Sequence, residues 1–559
     1  MALLHKKLHS LFGFSSFLPG QQETIELLLA GHDVLCILPT GAGKSLIYQL
    51  LAHLLYEQGR GVTIVVSPLI ALMKDQADAL RRRSWTSVGV LNSHIGVQKQ
   101  AKTLARLRAG ELSLLYVTPE RLESATFLQH LFNVQVALLA VDEAHCISQW
   151  GNDFRTAFLR LDEAVYAIRQ SQAQAISVLA LTATAPPPVQ AEIIEKLRLK
   201  EPKTVVTGFE RDNLMLEVAH IPNESGKWAA FGRRLGPNAQ GKGKGLKAPG
   251  IIYSATVRDT EPIAQKLREW GWKAAVYHGQ MKKATRQRVQ NAFMAGQSQI
   301  VVATNAFGLG INKKNLRFVL HWNLPGSPET YYQEAGRAGR DGQPASCLLF
   351  YCPQDRHLQA FFARQSGPSE HDVRLLWATL GRIYQSQPLP LASLAKAMKR
   401  KPGEVERLLL PLEENGYLSR SQDGKLTVHQ IVPPSLLQLS MTQSTKRQAY
   451  NQSRLKMIET YALTTDCRHE FLLNYLGQAF DTDNCGRCDN CLQGRSILQS
   501  ELGLPFHTGD IVQHPTWGLG TVQRLERSHG VTVLFDKVGY KTIALAVWQH
   551  NQGLLERIA

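Results

Sequence analysis

Leu38-Pro39-Thr40-Gly41-Ala42-Gly43-Lys44-Ser45 points to the architecture of the whole N-terminal half. An apolar run, DVLCIL (33–38), precedes it, and the helix-patterned LIYQLLAHLLYEQ (46–58) follows. A glycine-rich turn between a strand and a helix N-terminus is a phosphate cradle, because backbone N–H groups close around the anion. In that setting Thr40, Gly41, Ala42 and Gly43 line the phosphates, Lys44 reaches the β/γ oxygens, and the Ser45 hydroxyl holds Mg²⁺. The usual pattern opens on a glycine where this chain has Leu38.

The same rhythm extends outward. VTIVVS (62–67), LSLLYV (112–117), VALLAVD (136–142) and SVLALT (177–182) are further continuous apolar runs separated by helical patterns. Such runs predict parallel strands buried on both faces, with ligands at their carboxyl ends. VALLAVDEAH (136–145) delivers Asp142 and Glu143 to one of those ends. Asp142 is suited to the Mg²⁺ shell and Glu143 to accepting a proton from the attacking water. Upstream, Phe14 and Gln21 offer a stacking ring and a carboxamide for an adenine edge.

The chain has 559 residues, too many for one core, so three to five domains are expected. No apolar run is long enough to span a bilayer, and MALLHKKLHSLFGF lacks signal-peptide character. A cytoplasmic, nucleoid-associated protein is therefore expected. The net charge of +17 favours a polyanionic partner, nucleic acid before membrane. Of eight cysteines, Cys36, Cys146, Cys347 and Cys352 are scattered among apolar segments and read as core. Cys467, Cys485, Cys488 and Cys491 cluster, which in a reducing compartment argues for metal rather than disulfides.

Residues 222–249, rich in Gly, Lys and polar residues, read as a flexible surface segment. A second lobe follows to about 365, with strand runs GIIYSA (250–255), AAVYH (274–278), QIVVAT (299–304), RFVLHW (317–322) and SCLLFY (346–351). Within it lies Gln333-Glu334-Ala335-Gly336-Arg337-Ala338-Gly339-Arg340. Arg337 and Arg340 are spaced to approach a nucleotide together, with Arg340 as the finger; such an arginine is worth ~10³–10⁵ in rate.

PTGAGKS (39–45), VVSPLIALMKDQ (65–76), VTPERL (117–122), DEAHCISQWGNDFR (142–155) and LALTATAPPPV (179–189) resemble, in order, the motifs of the RecQ DNA helicases. The resemblance continues through GIIYSAT (250–256), residues 302–342 and the cysteine cluster. It implies an α/β fold with two RecA-like parallel-sheet lobes, and an ATP-dependent DNA helicase translocating three-prime to five-prime on single-stranded and branched DNA in repair and recombination. It further implies that His145, Trp150, Phe154 and Arg155 couple single-stranded DNA to hydrolysis; aromatics stack on any base and arginine pairs with phosphate. The chain departs from the family at Asn152, at Thr156-Ala157-Phe158, at Gly279-Gln280 and at Lys314.

The expected domains are lobe 1 (1–215, ATP-binding), lobe 2 (216–365), a winged-helix-like unit (366–440), a zinc-binding helical subdomain (441–495) and a small C-terminal β-barrel (505–559). The winged-helix-like unit precedes zinc, the reverse of the usual RecQ order. Its recognition-helix position carries Glu404, Glu406, Glu413 and Glu414, which repel phosphate, so it reads as a spacer or as a wing contact through Arg420 and Lys425. Four thiolates suit a closed tetrahedral Zn²⁺ site, and an iron–sulfur cluster is the chemical alternative. GDIVQHPTWGLGTVQRLERSHGVTVLFDKVGYKTI (509–543) resembles the Tudor-like tail of UvrD/PcrA helicases, implying docking to RNA polymerase or a repair factor; a barrel packed on the body is the plain alternative. A DNA-dependent translocase or recruited scaffold with little unwinding is the other functional reading.

Overall fold

The computed structural model describes residues 2–558 apart from 93–94, 149–157, 159–160, 238–244, 309–312, 366–369, 384–387, 415–416, 421–424, 430–433, 479, 481–483, 497–504 and 527–529. Seven short strands form the first sheet: β1 (Val34–Ile37), β2 (Val62–Val66), β3 (Val88–Leu91), β4 (Leu114–Val117), β5 (Val136–Val141), β6 (Ser177–Thr182) and β7 (Lys203–Val206). Their order is β3-β4-β2-β5-β6-β1-β7, and every pairing is parallel. Alternation sends Leu35 and Ile37 into one core and Val34 and Cys36 into another, on the opposite face. The two edge strands, β3 and β7, escape the sequence reading because they lack a full buried run; Lys203 and Thr204 of β7 are exposed. Buried Asp33 ties this sheet to its helices: Arg169 donates to both its oxygens, as do the backbone N–H groups of Val178 and Lys200 to one each.

The second sheet contains β8 (Leu214–His220), β9 (Gly250–Tyr253), β10 (Ala274–Tyr277), β11 (Ile300–Ala303), β12 (Phe318–His321) and β13 (Ala345–Tyr351). It is again wholly parallel, in the order β10-β11-β9-β12-β13-β8. Part of the segment read as flexible is instead a helix, Glu224–Leu235. Asn223 caps its N-terminus by accepting from Gly226 N at 3.0 Å, and Lys227, Ala230, Phe231 and Leu235 are buried. One of its four inward positions is a lysine, which hides the apolar stripe. Lys227 is fully buried because it pairs with Asp355 at 2.7 Å.

The helices Glu370–Ile383, Leu391–Ala397 and Pro402–Glu414 surround a three-stranded antiparallel sheet, β14 (Leu389–Pro390), β15 (Leu418–Arg420) and β16 (Lys425–Val428). This unit has its own core, built on Leu394, Val405 and Leu409. Arg420, offered by the sequence for a wing contact, lies against the acidic helix. Its guanidinium is paired inward with Glu413 at 2.7 Å and Glu406 at 3.0 Å, on the acidic helix itself.

A 30-residue helix, Pro434–Leu463, then leads to the helix Arg468–Tyr475 and the cysteine cluster. The chain closes with a five-stranded antiparallel sheet of β17 (Ile511–His514), β18 (Gly518–Glu526), β19 (Gly530–Phe535), β20 (Gly539–Ala544) and β21 (Glu556–Arg557), in the order β20-β19-β18-β17-β21. Val512, Val522, Val533 and Phe535 fill its core. This sheet is packed on the body. Tyr540 of β20 stacks on Tyr475 (centroids 5.0 Å apart) and Tyr450 (6.2 Å) of the two preceding helices. Arg524 of β18 pairs with buried Asp466 and lies 4.2 Å over the Phe471 ring. Gly539 allows the approach: at φ 71° it avoids strain, and a Cβ there would meet Ser453 Oγ at 2.4 Å.

Candidate active site

β1, β6 and β5 are neighbours, so their carboxyl ends present the phosphate loop, the Thr182-Ala183-Thr184 turn and the Asp142-Glu143 pair side by side. Gly41 (φ 96°) and Gly43 (φ 68°) take left-handed conformations, and the helix Lys44–Glu57 starts directly after them. The positive end of its dipole faces the loop, the arrangement an anion requires. Thr40, Ala42 and Ser45 are half-buried around it. Lys44 Nζ donates back to the carbonyls of Leu38 (2.9 Å) and Pro39 (3.3 Å). Burial disfavours its charge, while Glu143 and Asp142 sustain it; the balance lies below the ordinary lysine range.

Asp142 is buried, and its Oδ1 accepts the backbone N–H of Glu143 at 3.0 Å. Burial and the adjacent Glu143 charge push its carboxyl up to about 7, against the opposing pull of Lys44. Glu143 has φ 53°, a left-handed backbone unusual for a residue with a side chain and of a kind that clusters at functional sites. Its Oε2 lies 3.4 Å from His145 Nδ1, which also meets Thr182 Oγ1 at 3.0 Å. Thr182 Oγ1 donates to Thr184 O at 3.0 Å, and Gln333 Nε2 reaches from the second lobe to Thr184 Oγ1 at 2.7 Å. A continuous polar chain thus runs from Glu143 across the lobe boundary to Gln333.

The second lobe's arginines complete the cleft. The helix Pro328–Ala335 carries Gln333 and ends at Gly336, after which Arg337 and Arg340 flank Gly339. The Arg340 side chain lies over the phosphate loop: a Cβ on Gly41 would be 3.3 Å from its Cγ. Burial, then the charges of Arg337 and Arg211, push the Arg340 guanidinium down to about 9. Crowded positive charge of this kind is relieved by a polyphosphate. Arg337 is buried beside Tyr253 and Gly308.

Phe14 is half-exposed, with 48% of its surface accessible. The Gln21 carboxamide faces the loop itself, donating to Ala42 O (2.8 Å) and Gly43 O (3.2 Å) and accepting from Leu18 N (2.9 Å). Trp150, Phe154 and Arg155 lie outside the described residues, as does Asn152. Arg211 and Asn213, on the segment joining the lobes, touch the arginine turn and carry no local motif to announce them.

Cys467, Cys485, Cys488 and Cys491 bring four sulfurs within 4.8 Å of one another. Sulfurs at about 2.3 Å from a tetrahedral Zn²⁺ stand about 3.8 Å apart; Cys485–Cys491 is 3.8 Å and Cys488–Cys491 is 3.4 Å. Backbone N–H groups of Cys485, Cys488 and Cys491 point at Cys467, Cys485 and Cys488 sulfurs respectively, as anionic thiolates require. The donor set fits zinc.

Three family patterns match along the chain: DEAD/DEAH box helicase at residues 18–193, helicase conserved C-terminal domain at 242–342, and RecQ zinc-binding at 431–492. The chain is 43% identical over 552 residues to the ATP-dependent DNA helicase RecQ of Haemophilus influenzae, covering 98% of this chain and 70% of that one. It is 34% identical over 503 residues to that of Synechocystis sp. (88% and 98%), and 34% over 486 residues to that of Bacillus subtilis (87% and 66%). The chain therefore spans about two-thirds of the Bacillus relative's length. In fold it is similar to the Mycobacterium smegmatis helicase Lhr bound to ssDNA and AMP-PNP, with TM-score 0.52, 21% identity, and 79% of this chain and 62% of that one covered. With its phosphate loop, acid pair and paired arginines on two parallel-sheet lobes, and with relatives matched this far along their length, the chain belongs to the RecQ family of ATP-dependent DNA helicases.

Proposed function

We propose that this chain hydrolyses ATP between its two lobes and converts their closure into three-prime to five-prime movement along single-stranded DNA, separating duplexes in repair and recombination. The observation that carries the reading is Arg340 of the second lobe lying across Gly41 of the phosphate loop. Lys44 and the loop N–H groups hold the phosphates, Glu143 takes the proton of the attacking water, and Arg340 with Arg337 meets the charge of the transferring phosphoryl. Ser45 and Asp142 would hold Mg²⁺, which would supply charge neutralisation to the phosphates. Gln333 links the hydrolytic glutamate to the second lobe through His145, Thr182 and Thr184. In the sequence His145 comes between the acid pair and Trp150, Phe154 and Arg155, the residues that the family resemblance assigns to gripping DNA. Zn²⁺ on Cys467, Cys485, Cys488 and Cys491 would be structural, since four thiolates leave no open position.

ATP hydrolysis with and without single-stranded DNA, together with unwinding of a duplex bearing a three-prime tail, tests the proposal. Stimulation and unwinding in the wild type, both lost in Lys44→Ala, are the expected result. The inward pairing of Arg420 supports a second reading of the 366–440 unit as a winged-helix-like spacer. Stimulation without unwinding would favour that reading and a translocase. A partner of the C-terminal barrel, RNA polymerase or a repair factor, would bind away from the face that carries Tyr540.

A further inference from the structure

The segment joining the lobes is held from two sides by alternate residues. On one side Arg211 Nη2 donates to Ala338 O (3.0 Å) and Gly339 O (2.9 Å), and Nη1 donates to Gly336 O (3.4 Å). Asn213 Nδ2 donates to Gly339 O (2.7 Å) and Gln343 O (2.9 Å), and Arg211 Nε meets Asn213 Oδ1 at 3.3 Å. Gly336 caps the helix Pro328–Ala335, Ala338 and Gly339 form the turn that separates Arg337 from Arg340, and Gln343 follows three residues after Arg340. A helix C-terminus carries the negative end of the helix dipole, so a guanidinium just beyond it is favourably placed. Gly339 has φ 58°, and a Cβ on it would meet Asn213 Nδ2 at 2.3 Å, so the turn and its clamp are fitted closely.

On the other side Arg487, between Cys485 and Cys488, pairs with Asp212 (2.6 Å) and Glu210 (3.3 Å). Gln478 Oε1 accepts Phe209 N at 2.9 Å, and His469 Nε2 lies 3.1 Å from Leu214 O. The cysteine-cluster subdomain thus fixes the register of the very segment whose intervening side chains hold the arginine turn. We propose that Arg211, assisted by Asn213, is a positioning residue that aims Arg337 and Arg340 at the phosphate loop. Its hydrogen bonds go to Asn213 and to the turn from which the two arginines project. The proposal rests on the reading of Arg340 as the finger.

Steady-state DNA-stimulated ATP hydrolysis by the full chain tests it, with Arg211→Ala, Arg211→Lys, Asn213→Ala, Arg340→Ala and the Arg211→Ala/Arg340→Ala double variant. A displacement of about 1 Å in a catalytic group lowers the rate on the order of 10²-fold. Arg211→Ala is expected to lose kcat to that extent, with KM for ATP within about twofold of wild type. Arg211→Lys, which keeps the charge but not the planar fork, is expected to fall between the two. The double variant is expected to lose less than the product of the two single losses, because only Arg337 is left on the turn to be misaimed. Should Arg211→Ala fail to fold, Asn213→Ala and Arg211→Lys carry the test through the same loss in kcat at constant KM. Loss in Arg340→Ala with wild-type kcat in the position-211 and position-213 variants would overturn the positioning role alone. Fully multiplying losses in the double variant would also overturn it, by making Arg211 act independently of the turn and its two arginines. Full activity in Arg340→Ala would remove the finger reading and the proposal together.

Discussion

Arg454→Met should loosen the junction of the second lobe, the cysteine-cluster subdomain and the C-terminal sheet at one stroke. Arg454 Nε donates to Glu329 Oε1 at 3.0 Å and its Nη2 donates to Ser327 Oγ at 3.0 Å. The side chains of Arg454 and Glu329 are only 6% and 5% exposed. Burial opposes the Arg454 charge, but Glu329 beside it more than offsets this and holds the guanidinium above its ordinary range. Removing one member of such a pair strands the other charge and costs about 3–5 kcal/mol, whereas neutralising both costs far less. At about 2 °C per kcal/mol for a unit of this size, Arg454→Met should melt about 6–10 °C lower. Glu329→Gln should melt lower by a similar amount. The double variant should recover most of the loss, a coupling of at least about 2 kcal/mol. Differential scanning calorimetry on the four proteins measures this. The shift should change little between low and high salt, since a buried pair is poorly screened. Additive losses, or a drop of under about 2 °C in Arg454→Met, would refute the reasoning by showing that the pair is neither buried nor coupled in solution.

Glu143→Gln should slow hydrolysis by ~10²–10⁴-fold while ATP binding, followed by a fluorescent analogue, stays near wild type. Cys488→Ser, at a fully buried ligand position, should reduce bound zinc from one equivalent to none by atomic absorption and lower the melting temperature, since metal binding there is folding energy. Tyr540→Ala should cost about 3–5 kcal/mol of docking, so that limited proteolysis releases the C-terminal sheet from a body that remains intact. With the Asp142 carboxyl raised to about 7, a proton competes with the divalent ion below that pH. Mn²⁺ binding without nucleotide, followed by electron paramagnetic resonance, should therefore be about tenfold weaker at pH 6 than at pH 8; an affinity independent of pH would place the ion on other ligands.

Much of the chemistry was legible in the chain because it is locally encoded. A phosphate loop needs glycines at fixed offsets between a strand and a helix, and the acids follow a strand whose continuous apolar run marks it as buried. The four cysteines occupy a spacing that thiolate chemistry demands. The loop and the acids stand at strand ends, and the cysteine sulfurs come together from Cys467 and one short segment. Gln21 was found by position, but its partners were not: its carboxamide is turned to the loop carbonyls. The helix Glu224–Leu235 was hidden because one inward position is Lys227, whose partner Asp355 lies 128 residues away.

Elements whose signal spans one strand, one turn or one metal knuckle can be read along the chain, since backbone geometry and ligand spacing set them within a few residues. The folded arrangement alone settles how distant polar groups pair: Arg454 with Glu329 across 125 residues, and Arg211 with the turn at Ala338 across 127. It also decided that Tyr540 seats the C-terminal sheet on the two helices before it. The physical reason is that a buried charge or ring is stabilised by whichever partner the fold delivers, and no local periodicity names that partner in advance.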